Sequence, residues 1–433
     1  MARRIFLHVG TPKTGTTFLQ SVLWANKDAL SEQGLLLPLR SVRDHYYLSN
    51  IARAVEYEIS RMPKRGETSW DRMVDEVSEW QRDVLISHEM FTWVSAERAV
   101  WVLDQLRALG DDVHVLVTAR DMARQVPAEW QQSIKHGRTL TLRDYYGLVQ
   151  DRDPSIPFWS AQDLPPLIRR WSHGQPSDHM HLVTVPPSGA PPELLWDRYA
   201  AVIGVDAGSV DRSVNRPNES LGLEEIETLR RVNRFAPQGV KKPLRQMMVR
   251  QVLAEGILAA RPDAKKFAPP ADVHPWVMRL GKEMVEELRA MSLDVVGDLD
   301  ELIPPAQSLA GPVPDDVGDS AVAAVAVETI SAVLYRTHEL ETAKVSAVFT
   351  AQVADLERRL ALRTKRVKAL ERQLREAWAA YEDVHRAPVW RHAARRARRL
   401  VRRQADSGAS TSATSETTAT AATTATSAAA DDR

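Results

Sequence analysis

The chain has 433 residues, 44% of them hydrophobic, which is enough for one large domain with a sizeable core and for appendages beyond it. Lys and Arg (57) balance Asp and Glu (57), so no global charge draws the chain to nucleic acid or to an anionic membrane, and any such pull must be local. There is no cysteine, which excludes disulfides, thiolate catalysis and Cys-ligated metals together.

The opening Met1-Ala2-Arg3-Arg4-Ile5-Phe6-Leu7 has the charge of a signal peptide, but His8 and the polar loop behind it cut the apolar region short, so the expected location is cytoplasmic. A strand is expected over 4–9. It runs into His8-Val9-Gly10-Thr11-Pro12-Lys13-Thr14-Gly15-Thr16-Thr17-Phe18, which reads as strand, tight loop with one lysine, and a helix opened by hydroxyl residues. That is the local design of an anion cradle. Gly10 and Gly15 are spaced like the glycines of the nucleotide loop G-x-x-x-x-G-K-[ST], but Thr16 follows the second glycine and the lysine lies inside the loop at Lys13. A lysine in the usual place reaches the β and γ phosphates, and the hydroxyl after it holds magnesium. The displaced lysine therefore argues against an ordinary ATPase or kinase.

Up to about Val205, short apolar runs alternate with longer amphipathic stretches, the pattern of an α/β fold with a parallel sheet flanked by helices. Further strands are expected at 35–37, 83–87, 113–118 and 180–185. The helix after the loop carries Phe18, Leu19, Val22, Leu23 and Leu30 at helical spacing and stops near Gly34. Ligands of open α/β sheets bind outside the carboxyl ends of the strands, and chemically suitable groups follow three such ends: Lys13, His88-Glu89 and Arg120. The guanidinium of Arg120 matches phosphate geometry, with a local pair to Asp121 as the plainer alternative. His88 or Glu89 is placed to take a proton, and only one of two adjacent side chains faces a pocket. The plainer alternative there is an interior histidine beside a locally paired glutamate. His179 and His181 would share one strand face, but no third ligand stands at a recognisable spacing, so no metal is expected. Neither H-E-x-x-H nor G-x-S-x-G occurs, which leaves zincin and serine-hydrolase chemistry unsupported.

Pro12-Lys13-Thr14-Gly15-Thr16-Thr17 resembles the 5′-phosphosulfate loop of the sulfotransferase family, whose donor is 3′-phosphoadenosine 5′-phosphosulfate (PAPS). Val115 to Asp121 looks like the family's 3′-phosphate-binding segment, and Ser87-His88-Glu89 resembles the S-x-E step of bacterial members. Val296-Gly297-Asp298-Leu299-Asp300-Glu301-Leu302 looks like the end of the bacterial catalytic domain. The resemblance covers about Arg3 to Pro304 and implies a P-loop-like catalytic domain over 1–305. It implies transfer of a sulfuryl group from PAPS to a hydroxyl or amine of a glycan, glycolipid or small molecule. Lys13 would contact the bridging oxygen, Thr14, Gly15, Thr16 and Thr17 the 5′-phosphate, and Arg120 the 3′-phosphate, with Glu89 as first choice of base and His88 as second. The serine often found eight residues after the arginine is Ala128 here, which leaves its contact to Ser133 or Gln131. The scheme requires no divalent metal. Its rivals are a kinase- or NTPase-like P-loop enzyme and a catalytically degenerate nucleotide-binding scaffold.

The stretch from Leu221 to Pro304 looks helical and completes the same domain. A linker is expected over 306–319 and a helical segment over 320–385. Val353, Leu360, Val367, Leu374 and Tyr381 recur every seven residues, and Leu356, Leu370 and Ala377 fill the intermediate positions, with Arg363 as the exception. A coiled coil giving a homo-oligomer is expected, with a helix folded back on the catalytic domain as the alternative. The apolar run from Ala321 to Leu334 is interrupted by Glu328 and Thr329 and is too short to span a bilayer. Over 386–403 a basic helix beside Trp390 is expected either to be a solvated end or to touch an anionic membrane surface. Nucleic acid is not expected, because no stacking platform or reader motif accompanies the charge. The Ser/Thr/Ala-rich tail over 404–433 is expected to be disordered.

Overall fold

Six strands, β1 (Ala2–His8), β2 (Leu35–Leu36), β3 (Asp83–Ser87), β4 (Gly110–Ala119), β5 (Met180–Thr184) and β6 (Asp294–Val296), form one parallel sheet in the order β2-β3-β1-β4-β5-β6. The structure is a computed structural model and describes residues 2–213, 220–235, 244, 247–386 and 389–408. The first five strands coincide with the expected ones. The sixth, only three residues long, lies within the stretch read as helical.

Side chains of a strand alternate between faces, and both faces are covered here. Ile5, Leu7 and Val9 of the β1 segment join Val84, Ile86, Val115 and Val117 in one core. That core is closed by α3 (Val42–Arg53), α4 (Ser69–Glu79), α5 (Ala96–Arg107) and α6 (Met122–Lys135), through side chains such as Leu48, Met73, Leu103 and Trp130. Phe6, Leu85, Leu116 and Val183 point the other way, into a second core with Leu19, Leu23, Leu30, Trp196 and Tyr199. The helices there are α1 (Thr16–Ala25), α2 (Lys27–Glu32) and, later in the chain, a helix over Leu194–Ile203. The single helix expected after the loop is thus two. Asn26 divides them, its side-chain amide donating both to the Val22 carbonyl and to the Asp211 carbonyl, 2.8 Å each. Helix starts follow the sequence's caps: Ser95 accepts from the Arg98 N–H and Asp121 from the Arg124 N–H.

By its contacts the chain divides into Met1–Thr337 and His338–Arg433. Residues 306–319, expected as a linker, pack on the first of these: Leu309 and Val313 are buried, and the Asp315 carboxylate accepts from the Leu142 and Arg143 N–H groups. A 68-residue helix runs over Asp319–Arg386 and a 20-residue helix over Val389–Gly408. Residues 404–408, assigned to a disordered tail, continue that last helix, and the remainder of the tail lies outside the described residues. Asp319–Thr342 is, by length and composition alone, long and apolar enough to cross a membrane, a longer stretch than Ala321–Leu334. Within it Val325 and Thr329 are buried, and Asp319 and Glu328 pair with Arg231 and Arg261.

Candidate active site

The strand order places β3, β1 and β4 side by side, so the three segments carrying Glu89, Lys13 and Arg120 leave adjacent strand ends. The β1 end continues beyond the strand, with Val9 N–H bonded to the Leu116 carbonyl and Thr11 N–H to the Thr118 carbonyl, 3.0 Å each. The loop then turns sharply. Gly10 has φ +109° and Gly15 φ +84°, a region that favours glycine, and a Cβ on Gly15 would lie 2.5 Å from Leu195 Cδ2. Lys13 itself sits at φ +63°, which costs roughly 1 kcal/mol in a non-glycine residue and points to a constrained position. Gly15 takes the N-cap position of α1 without a side-chain cap, so the first-turn N–H groups of that helix face the loop region as a partial positive charge.

Beneath the loop lies a polar layer that sequence reasoning did not assemble. His8, Thr14, Ser87 and Thr118 are all fully buried. His8 Nδ1 is 2.8 Å from Ser87 Oγ, and its Nε2 is 3.4 Å from Thr118 Oγ1. The Thr14 hydroxyl donates to the Thr11 carbonyl and is bonded to Thr118 Oγ1. Thr14 therefore faces inward, into this layer. Thr16 is buried at the helix start, and Thr17 is exposed. Burial lowers the His8 pKa to about 4, with Glu89 opposing and His88 adding to the shift, so the imidazole is neutral at physiological pH.

Lys13 Nζ donates to Gln132 Oε1 at 2.5 Å, and Gln132 Nε2 lies 3.3 Å from His136 Nε2. Burial lowers the Lys13 pKa, an effect opposed by Glu129 and Glu89 and reinforced by Arg250 and Arg120. Glu129 is the carboxylate with the largest influence on Lys13. Burial raises its own pKa against the opposing pull of Lys13, the Gln162 amide and Arg120. Gln162 Nε2 donates to Glu129 Oε1 (2.9 Å) and to the Pro12 carbonyl (3.2 Å), and Gln125 Nε2 donates to the same carbonyl at 2.7 Å. Two glutamines thus pin the residue before the lysine.

Arg120 donates from Nε to Gln125 Oε1 and from Nη2 to the Arg124 carbonyl, 3.0 Å each. Asp121 pairs with Arg124 instead, so the local Asp121 pair considered for Arg120 belongs to its neighbour. Burial, then Arg124, lower the Arg120 pKa to about 10, which leaves it cationic. Of the two replacements considered for a serine at Ala128, Ser133 donates its hydroxyl to the Trp130 carbonyl (2.7 Å). Gln131 exchanges amide bonds with the N–H and carbonyl of Leu221.

Glu89 and His88 follow β3 and differ in what they can do. His88 Nδ1 accepts from the Met90 N–H at 3.2 Å, capping a short 3₁₀ turn. In the neutral ring the proton is then on Nε2, as assigned from this bond, and no lone pair is left to accept another. Burial holds the His88 pKa below its ordinary value. Glu89 receives a hydrogen bond from Gln20 Nε2 at 3.0 Å. Burial disfavours its charge, but His88, the Glu89 N–H and Gln20 together hold its pKa below the ordinary glutamate value, so it is a carboxylate. The site can accordingly hold an anion between Lys13, Arg120 and the start of α1, and can accept a proton at Glu89.

At the opposite ends of β4 and β5, His114, His179 and His181 form a separate cluster. His114 Nδ1 lies 2.8 Å from His181 Nε2, His179 stacks on His114, and His181 Nδ1 contacts Asp294. Among the described residues no group of three His, Asp or Glu side chains is arranged to hold a metal ion. No protein-family model matches the chain, and a search of curated proteins finds no match.

Proposed function

We propose that the chain is a PAPS-dependent sulfotransferase with a P-loop-like fold over its first 305 residues. The observation that carries the reading is the convergence of Lys13, Arg120 and Glu89 at adjacent strand ends beside the uncapped start of α1. Sulfuryl transfer makes the demands this set can meet. The acceptor oxygen forms a bond to sulfur while the bond from sulfur to the bridging phosphate oxygen breaks, so a proton must leave the acceptor and negative charge must be offset on the departing phosphate. Glu89, ionised and oriented by Gln20, takes the proton, a role worth roughly 10²–10⁴ in rate. Lys13 exchanges Gln132 for the departing oxygen, and the α1 N-terminus with Arg120 holds the phosphates. Nothing in these steps calls on magnesium, which separates the reading from a kinase-like one. Incubation with PAPS and a panel of hydroxyl and amine acceptors tests it. Acceptor-dependent release of adenosine 3′,5′-bisphosphate without added divalent metal is expected, whereas phosphoryl transfer from ATP would overturn it.

A further inference from the structure

The helix over Val389–Gly408 plays no part in the proposed chemistry, yet its two sides differ sharply. At 3.6 residues per turn, Val389, Trp390, Leu400 and Val401 project from one half of its circumference, with Ala393 and Ala397 between them. All seven arginines from Arg391 to Arg403, together with His392, project from the other half. The large apolar side chains are open to solvent: Val389 is 85% exposed, Trp390 67%, Leu400 59% and Val401 67%. The ion pair of Arg395 with Asp383, at 3.0 Å, engages one arginine on the cationic side and covers none of the apolar side.

The charge on this helix is also dense. Its seven arginines less Asp406 give a net +6, so the rest of a chain with formal charge +0 carries −6. A second copy of the helix would bring like charge to like charge. A polyanion in solution would satisfy the arginines and leave Trp390, Leu400 and Val401 in water. An anionic bilayer satisfies both sides at once: the apolar half sinks to the boundary of headgroups and acyl chains, and arginines at the margins extend to lipid phosphates.

We propose that Val389–Gly408 is an interfacial helix that attaches the protein to anionic lipid. The apolar half is rich in alanine, so attachment leans on charge and is reversible by salt, while the four large side chains make it a membrane interaction and not ion exchange alone. This inference is independent of the chemistry assigned to Lys13, Glu89 and Arg120.

Flotation of the full-length protein with vesicles tests it, comparing phosphatidylcholine alone with phosphatidylcholine carrying about 30 mol% phosphatidylglycerol in about 0.1 M salt. Partition onto the anionic vesicles should exceed that onto the zwitterionic ones by about tenfold or more, and raising the salt should release the protein. Leu400→Glu with Val401→Glu should cost about tenfold in partition, and Arg398→Gln with Arg402→Gln should also weaken it. Thermal unfolding unchanged in both variants would show that they remain folded. Absence of the full-length protein from anionic vesicles would overturn the proposal. So would undiminished flotation of the Leu400→Glu, Val401→Glu variant, or binding to single-stranded RNA in preference to anionic vesicles.

Discussion

Gln20, on the first helix after the loop, donates to Glu89 Oε2 at 3.0 Å and so links that helix to the carboxylate at the end of β3. The bond fixes one carboxylate oxygen and supports ionisation, while His88, one residue earlier, has its accepting nitrogen occupied by the Met90 N–H. Glu89→Gln should therefore lower turnover by about 10²–10⁴ while leaving adenosine bisphosphate binding within about threefold of the parent. His88→Ala should cost about 1 kcal/mol of stability through the lost cap and leave turnover within tenfold. A larger loss of turnover in the histidine variant than in the glutamate variant would reverse the assignment.

Gly15 and Leu195 test the loop geometry without reference to chemistry. The φ of +84° and a Cβ position 2.5 Å from Leu195 Cδ2 predict that Gly15→Ala destabilises the protein by about 1–3 kcal/mol in urea unfolding. Because Leu195 is itself a core side chain, the comparison is made within a Leu195→Ala background, where Gly15→Ala should lose the steric part of its cost and keep the backbone strain. An unaltered unfolding midpoint in Gly15→Ala would contradict the loop conformation.

The loop, five strands and the three strand-end groups were legible in the sequence because each is local: a β-branched or leucine-rich run followed by a glycine, a charge or a helix cap. The polar layer of His8, Ser87 and Thr118 was not, since it exists only once β3 and β4 flank β1. Glu129 and Gln132 were missed, although a signal was present. Gln125, Glu129, Gln132 and His136 follow one another at spacings of four, three and four, a polar stripe along α6 beginning just after Arg120. The stripe meets Lys13 only in the folded chain. The sixth strand escaped because three residues are too few for a periodic pattern.

Buried neutral histidines set a pH dependence. His8 and His45 are fully buried, and burial lowers each pKa from 6.5 to about 4. His45 accepts the Ser87 N–H at Nδ1 and donates from Nε2 to the Pro38 carbonyl, an arrangement that suits the neutral ring. Because the folded pKa values lie below the unfolded ones, the unfolded chain takes up protons first as pH falls. Stability is thus full above pH 6.5 and declines toward pH 4, by about 3 kcal/mol for each of the two. Urea unfolding across this window should show the decline, and His8→Asn should reduce its slope by about one proton. Stability constant from pH 6.5 to 4.5 would contradict the neutral assignment.

The long helix offers its heptad stripe to solvent: Leu356, Leu360, Leu370 and Leu374 are all more than half exposed. Self-association through this stripe predicts a concentration-dependent dimer in sedimentation analysis. Leu360→Asp with Leu370→Asp should abolish it, and Arg363→Leu, which replaces the one charged core position, should tighten it by about tenfold or more. A parent chain that stays monomeric at high micromolar concentration would contradict this use of the helix.

The most direct measurement is calorimetric titration of the full chain with adenosine 3′,5′-bisphosphate and, separately, with ATP, repeated on a Lys13→Ala, Arg120→Ala variant. The bisphosphate should bind more tightly than ATP, without magnesium, and the variant should lose about a hundredfold or more of that affinity. Preference for ATP, or bisphosphate binding that survives both substitutions, would contradict the proposed function.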